Sequence, residues 1–312
     1  MKPRLLVGLF IAFTSAFSSL PNLALAADIT LPPTKSELQE LLKKPSLPKT
    51  PPPPAARVRD ENMAMGNPSA ATSDPRNENN YLMRKSEYVL SYNNGTHLPN
   101  WVSWHLNASW IGDTERKNNF KPDPDLPNGW FQVLPRDYTR TGFDRGHMCN
   151  FMDRSRDAQS ASNTFFMTNM IPQSPKNNEE TWEQLESYSR TLAREGHELY
   201  IVSGPAGQGG EGKNGTMDKI VAKRGDREIA IVVPAFTWKV MLVLPKGKTS
   251  PKDVTSDATT IAVIMPNTQQ IDFDWKRYLV PVVTVEGLTH LSFFTEVDPK
   301  IAAEIKKRIY QP

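Results

Sequence analysis

The chain has 312 residues and a formal charge of +3, from 37 Lys and Arg against 34 Asp and Glu. That balance excludes a surface that is basic throughout, so any polyanionic partner must be met by a local cluster of Lys and Arg. The single cysteine, Cys149, excludes an internal disulfide, and stability has to come from an ordinary apolar core.

The first element is a leader. Lys2 and Arg4 precede an apolar stretch from Leu5 to Phe13, and small residues end in Ala24-Leu25-Ala26. This is the pattern of a signal peptide cleaved after Ala26. The apolar stretch is shorter than the roughly 20 residues that span a bilayer, so no transmembrane segment is expected in the mature chain. An organellar transit peptide is the weaker alternative, because Arg4 is the leader's only arginine. Loss of Lys2 and Arg4 with the leader takes the formal charge from +3 to +1. Residues 27–78 follow, poor in aromatics and rich in Pro, Ser, Asn and charge, with Pro51-Pro52-Pro53-Pro54 near their centre. They read as a Pro-rich disordered linker, stiffened by polyproline II. Aromatic and β-branched residues recur from Tyr81 onward, which places one catalytic-size globular domain at 79–312.

Within that domain, strands are predicted at 87–92, 101–106, 199–203, 229–234, 238–244, 261–265 and 282–285, where apolar residues alternate or are β-branched. A helix is predicted over 179–195, since Trp182, Leu185, Ser189 and Leu192 recur at three- and four-residue steps. Strands in series with few helices favour an α+β domain over a βαβ repeat.

The segment Asp144-Arg145-Gly146-His147 sets an acid, a guanidinium and an imidazole within four residues. Phosphodiester hydrolysis needs a base to take a proton from water and a cation to receive charge, and imidazole and guanidinium suit those two tasks at neutral pH. Gly146 is read as allowing close approach of a ligand or an unusual backbone angle. Downstream, a helix starting near Asn178 would bring Asn178, Glu186 and Arg190 within about a third of its circumference. That polar row could coordinate a hard cation and hold a phosphate; its plainer reading is an exposed face with an i, i+4 Glu186–Arg190 pair.

Other motifs fail on context. Gly207-Gln208-Gly209-Gly210-Glu211-Gly212 has dinucleotide-fingerprint spacing, but Asn214 occupies the P-loop hydroxyl position and Gly215 interrupts the helix that should follow, so a flexible surface loop is expected. Asp123 and Asp125 lack the position-12 Glu of a calcium loop, where Leu134 stands. Cys149 has no second cysteine with which to bind zinc. His97, His105, His197 and His290 have no ligand-spaced partner and are expected to be structural or at the surface.

Taken together, Asp144-Arg145-Gly146-His147, Asn169-x-x-Pro172-Gln173, and Asn178 with Trp182 and Glu186 resemble the DNA/RNA non-specific endonucleases. Val285-Glu286-Gly287-Leu288-Thr289 before Phe293-Phe294 is similar to that family's closing motif. The resemblance implies a ββα-metal fold, a mostly antiparallel central sheet with flanking helices. It implies hydrolysis of DNA and RNA to 5′-phosphate products, with His147 as general base and Asn178 as the one direct ligand of Mg²⁺, or alternatively Mn²⁺. Glu186 would hold water ligands of that ion, Asn169 would orient the site, and Arg145 and Arg190 would contact the phosphate. Asp144 is open between a metal ligand and a structural carboxylate bonded to backbone N–H groups or Arg145. The implied partners are DNA and RNA substrates and an inhibitor protein, and the location is secreted or periplasmic. Two rival readings are a catalytically inactive nucleic-acid-binding protein of the same fold and a small-nucleotide phosphodiesterase.

Overall fold

A computed structural model describes residues 61–312. The leader and the oligoproline run therefore lie outside the described residues. Twelve strands occur among the described residues: β1 Tyr81–Arg84, β2 Val89–Asn93, β3 Leu98–Leu106, β4 Asp144–His147, β5 Met170–Gln173, β6 Glu198–Ala206, β7 Gly210–Gly212, β8 Gly215–Met217, β9 Lys219–Arg224, β10 Arg227–Val232, β11 Phe236–Leu244 and β12 Thr259–Pro266. The helices are α1 Ala158–Asn163, α2 Glu183–Arg194, α3 Val282–Thr289 and α4 Pro299–Ile305.

Six strands form the central sheet in the order β1-β2-β3-β6-β11-β12, with every neighbour antiparallel. Both faces are covered, and the alternation along β11 explains how. Trp238, Val240 and Leu242 point to one side, where they pack with Val282 and Val285 of α3, Ala302 and Ile305 of α4, Phe293 and Phe294. Met241 and Val243 point to the other, with Trp182, Leu185 and Ala193 of the α2 segment and with Met148, Met170 and Ile171 of the β4–β5 pair. Side chains two apart share a face, so a sheet buried on both sides needs apolar residues at nearly every position. Among the described residues no helix is long and apolar enough to cross a membrane.

Three expectations change. The apolar run 282–285 is the first turn of α3, not a strand. Val282 and Val285 fall three residues apart and are both buried on the sheet, and this packing outweighs the weak helix propensity of β-branched residues. Residues 61–78, placed in the linker over 27–78, are packed on the domain. Asn62, Ala64, Met65 and Ala71 are buried, Ser103 donates to the Asn62 carbonyl (2.6 Å), and Trp101 Nε1 donates to Ser69 (2.8 Å). Polar side-chain bonds hold this stretch, so it carries no apolar period. The glycine-rich segment is the short β7–β8 hairpin instead of a flexible loop. Glu211 N–H donates to the Asn267 carbonyl and Lys213 N–H to that of Gly142, which pins the hairpin to the turn leading into β4.

Candidate active site

β4 and β5 form an antiparallel pair in which Asp144 faces Gln173 and His147 faces Met170. Gly146 is required here for room, not for an unusual backbone angle. A Cβ on it would meet the Gln173 side chain, with Oε1 at 2.0 Å and Cβ at 2.6 Å. The Gln173 amide passing through that gap donates to Asn177 Oδ1 (2.6 Å), and Asn177 in turn donates to the Pro266 carbonyl (2.9 Å) and to Thr237. Asn177 is thus the buried anchor, and its neighbour Asn178 is left at the cavity. Residues 177–182 wind as a π-helix before α2 begins, a local widening that is frequent at functional sites.

One cavity of about 660 Å³ is lined by Arg116, Asn118, Phe120, Asp144, Arg145, His147, Asn150, Asn178, Glu179, Glu183 and Glu186. The expected His147, Asn178, Glu186 and Arg145 therefore share it. His147 is only 6% exposed and stands edge-on to Phe165, with ring centres 4.8 Å apart, beside Phe120. Its Nε2 is buried without a hydrogen-bond partner among the described residues. Burial, and then the charge of Arg116, push the imidazole down to about 3. Both effects disfavour the cation, so at neutral pH the ring is unprotonated and has a lone pair to offer.

Asn178 donates to Asp144 Oδ2 (2.9 Å), while its Oδ1 accepts nothing from the described residues. This gives Asp144 a partner that neither sequence reading named. Glu186 is buried; its Oε2 accepts from Asn150 and its Oε1 lies 3.4 Å from Lys239 Nζ. Burial raises the Glu186 carboxyl, and the positive charges of Lys239 and Arg190 act against that rise. Asn169 is buried behind the site, outside the cavity lining. Its amide donates to the carbonyls of Cys149 and Thr164, and its Oδ1 accepts from Cys149 N–H. Those bonds clamp the chain two residues past His147.

Arg190 is placed differently from expectation. Its guanidinium is 3% exposed and lies 3.3 Å from both Asp153 and Glu183, so it does not line the cavity and does not pair with Glu186. Arg116, not singled out from the sequence, lines the cavity instead. Its guanidinium lies 5.7 Å from the Phe165 ring centre and 6.0 Å from that of Phe151, while Arg145 stands 4.9 Å over Phe120 and donates to the Pro135 carbonyl. Arg116 sits in a polar stretch without periodicity, which gave no signal. Lys239 was hidden inside a strand that is otherwise apolar but for Thr237.

The remaining motifs are structural. Asp123 is buried against Lys85 (2.6 Å), which also pairs with Asp125. The Cys149 thiol is buried and pushed up by burial, which leaves it a packed, unreactive group. His105 bonds Glu198 (2.7 Å), His97 is buried, and His290 is exposed.

The donor set suits a hard divalent cation. Four carboxylates and two guanidinium groups line the cavity, with Lys239 and Arg190 behind Glu186 and Glu183, so the donors on offer are carboxylate oxygens and the Asn178 amide oxygen. Among the described residues no group of three or more His, Cys, Asp or Glu side chains could hold a metal. An ion at Asn178 Oδ1 would therefore keep mostly water, as Mg²⁺ does.

The profile of the DNA/RNA non-specific endonuclease family matches residues 65–300. The chain belongs to that family. A nuclease of Nostoc sp. is 41% identical over 247 residues, 79% of this chain and 85% of that protein. The mitochondrial nuclease EXOG of Homo sapiens is 31% identical over 220 residues, 68% of this chain, and the chain spans little more than half of its length, 56%. A solved complex of EndoG with EndoGI, concerned with EndoG inhibition, superposes with a TM-score of 0.61 at 26% identity, covering 79% of this chain and 96% of that one. The family's α+β, ββα-metal fold is the one described above, and this member is a phosphodiester-cleaving endonuclease.

Proposed function

We propose that this endonuclease cuts both DNA and RNA with a divalent cation, Mg²⁺ or Mn²⁺, held by Asn178, and with His147 as general base. The observation that carries the reading is the shared cavity: a neutral imidazole, an amide whose oxygen is free, a buried carboxylate and two guanidiniums line one opening. His147 takes a proton from water as its oxygen bonds to phosphorus. The bond from phosphorus to the 3′ oxygen breaks, that oxygen leaves and takes a proton from solvent, and the phosphate stays on the 5′ side. Arg116 and Arg145 bind the phosphate, and its negative charge offsets that of Arg116, the smaller of the two effects that lower His147. Asp144 fixes the Asn178 amide so that its oxygen stays available, and Glu186 with Asn150 orders the water around the ion. When bound, the ion supplies positive charge to the reacting phosphate and the leaving oxygen. Contacts confined to sugar and phosphate make recognition indifferent to base.

Export through a signal peptide ending at Ala26 and an inhibitor protein covering the cleft belong to the same proposal. The test is degradation of supercoiled plasmid and of structured RNA across several divalent ions, with and without chelator. Cleavage of both polymers that stops with chelator is expected. Activity on neither polymer with any ion overturns the reading, and turnover of dinucleotides alone would make the protein a small-nucleotide phosphodiesterase.

A further inference from the structure

Lys239 stands in the middle of β11, opposite Ser203 of β6 and Val263 of β12, at a position where the strand's alternation calls for an apolar side chain. It is 1% exposed. Its ammonium lies 4.2 Å from the Trp182 ring centre and 5.7 Å from that of Trp104, and its hydrogen-bond partner is Glu186 Oε1 at 3.4 Å. Both indoles belong to the same arrangement. Trp104 donates to Asp153, the partner of Arg190, and Trp182 closes the π-helical turn that carries Asn178.

Taking an ammonium out of water into a packed layer costs several kcal/mol, and replacing a buried ion pair with apolar residues is often neutral or stabilising. Fold stability therefore gives no reason for a lysine here. Indole faces attract a desolvated cation, and the cage directs this one at the carboxylate oxygen that Asn150 leaves free. Glu186 is thus held from two sides, by an amide on Oε2 and an ammonium on Oε1.

Building on the nuclease reading above, we infer that Lys239 is a positioning residue: caged by Trp104 and Trp182, it fixes the Glu186 carboxylate behind the ion-binding site. It touches neither substrate nor ion, and acts only through Glu186. Outer partners of this kind typically change metal affinity or activity by about 10- to 100-fold when removed.

The experiment is a double-mutant cycle on the full chain, read by calorimetry of Mn²⁺ binding and by thermal unfolding. Lys239→Met keeps the length and apolar stem without the charge; Lys239→Gln is the second variant should the first fail to fold. The expected result is that either variant weakens Mn²⁺ binding on the order of tenfold. In a Glu186→Gln background the same change should weaken it by less than about twofold, because the group through which Lys239 acts has already been neutralised. Wild-type affinity in both Lys239 variants overturns the inference, as does a Lys239 effect that persists in full beside Glu186→Gln. Failure of both variants to fold would also overturn it, by making Lys239 a requirement of the fold. A wild-type protein that binds no Mn²⁺ and degrades no plasmid would be recognised separately as failure of the nuclease reading.

Discussion

The two faces of the central sheet are built from alternate residues of the same strands, yet most of the buried charge lies on one of them; the other holds the His105–Glu198 pair beside Tyr200. The face toward α3 and α4 is packed with Trp101, Trp238, Val240, Leu242, Ile264, Phe293 and Phe294. The face toward α2 and the β4–β5 pair buries Lys239, Glu186, Arg190, Asp153, Arg154 and His147 among its apolar side chains. Burial of charge costs free energy that burial of apolar area supplies. The first face thus stabilises the domain, while the second holds costly groups in fixed positions next to the cavity. Substitution on the first face should act on stability, and on the second mainly on function or on the charge balance that holds the site.

The largest effect expected from breaking this division is at His147. His147→Ala should lower kcat by on the order of 10²- to 10⁴-fold, the usual worth of a positioned base, with little change in Mn²⁺ affinity by calorimetry. Asn178→Ala should instead raise the Mn²⁺ concentration for half-maximal cleavage. If His147→Ala abolished Mn²⁺ binding while Asn178→Ala bound normally, the two roles would be exchanged.

Next comes Arg190, whose removal leaves Asp153 buried without its cation. Arg190→Ala should cost about 3–5 kcal/mol of stability, measured by urea unfolding, where a phosphate-contacting arginine at the surface would mainly raise KM. Phe293→Ala, on the other face, should cost a similar amount, about 3–5 kcal/mol. Its activity per folded molecule should stay at wild type. A drop in kcat for Phe293→Ala at temperatures where it is fully folded would show that the faces are coupled.

Most residues around the cavity could be picked out of the sequence because β4, β5 and the segment leading into α2 each carry their polar residues in short contiguous motifs. Asp144 to His147, Asn169 to Gln173, and Asn178 with Glu186 needed no long-range pairing to be noticed. Arg116 and Lys239 escaped because their neighbours come from distant segments: 116 lies 31 residues before His147, and 239 lies on a strand that is otherwise apolar but for Thr237. Arg190 kept the right helical face but the wrong environment, since spacing alone does not reveal Asp153 waiting beneath it. Five of the six strands of the central sheet were legible as apolar runs; the four-residue β1 was not. Nor was the helix α3, because four β-branched residues suit a strand or a buried turn equally until their packing partners are known.

The smallest predicted effect concerns acid sensitivity and separates the two faces by a single proton. His147 titrates at about 3 in the folded chain against an ordinary value of 6.5, chiefly through burial. The unfolded chain therefore binds more protons at this group than the folded chain between those two values, and unfolding becomes easier as pH falls through that window. Above about pH 6.5 the contribution is fully present; below about pH 3 it is exhausted. One such group changes the unfolding equilibrium by up to tenfold per pH unit. His147→Gln removes the titration while keeping a polar side chain of similar reach, so its urea-unfolding midpoint should fall less steeply between pH 6 and pH 4 than that of the wild type. Phe293→Ala, which alters no titrating group, should show the wild-type steepness from a lower starting stability. Parallel curves for His147→Gln and the wild type would mean that His147 is hydrated and titrates near its ordinary value. In that case the imidazole would be neutral above its ordinary value of 6.5 without any help from burial.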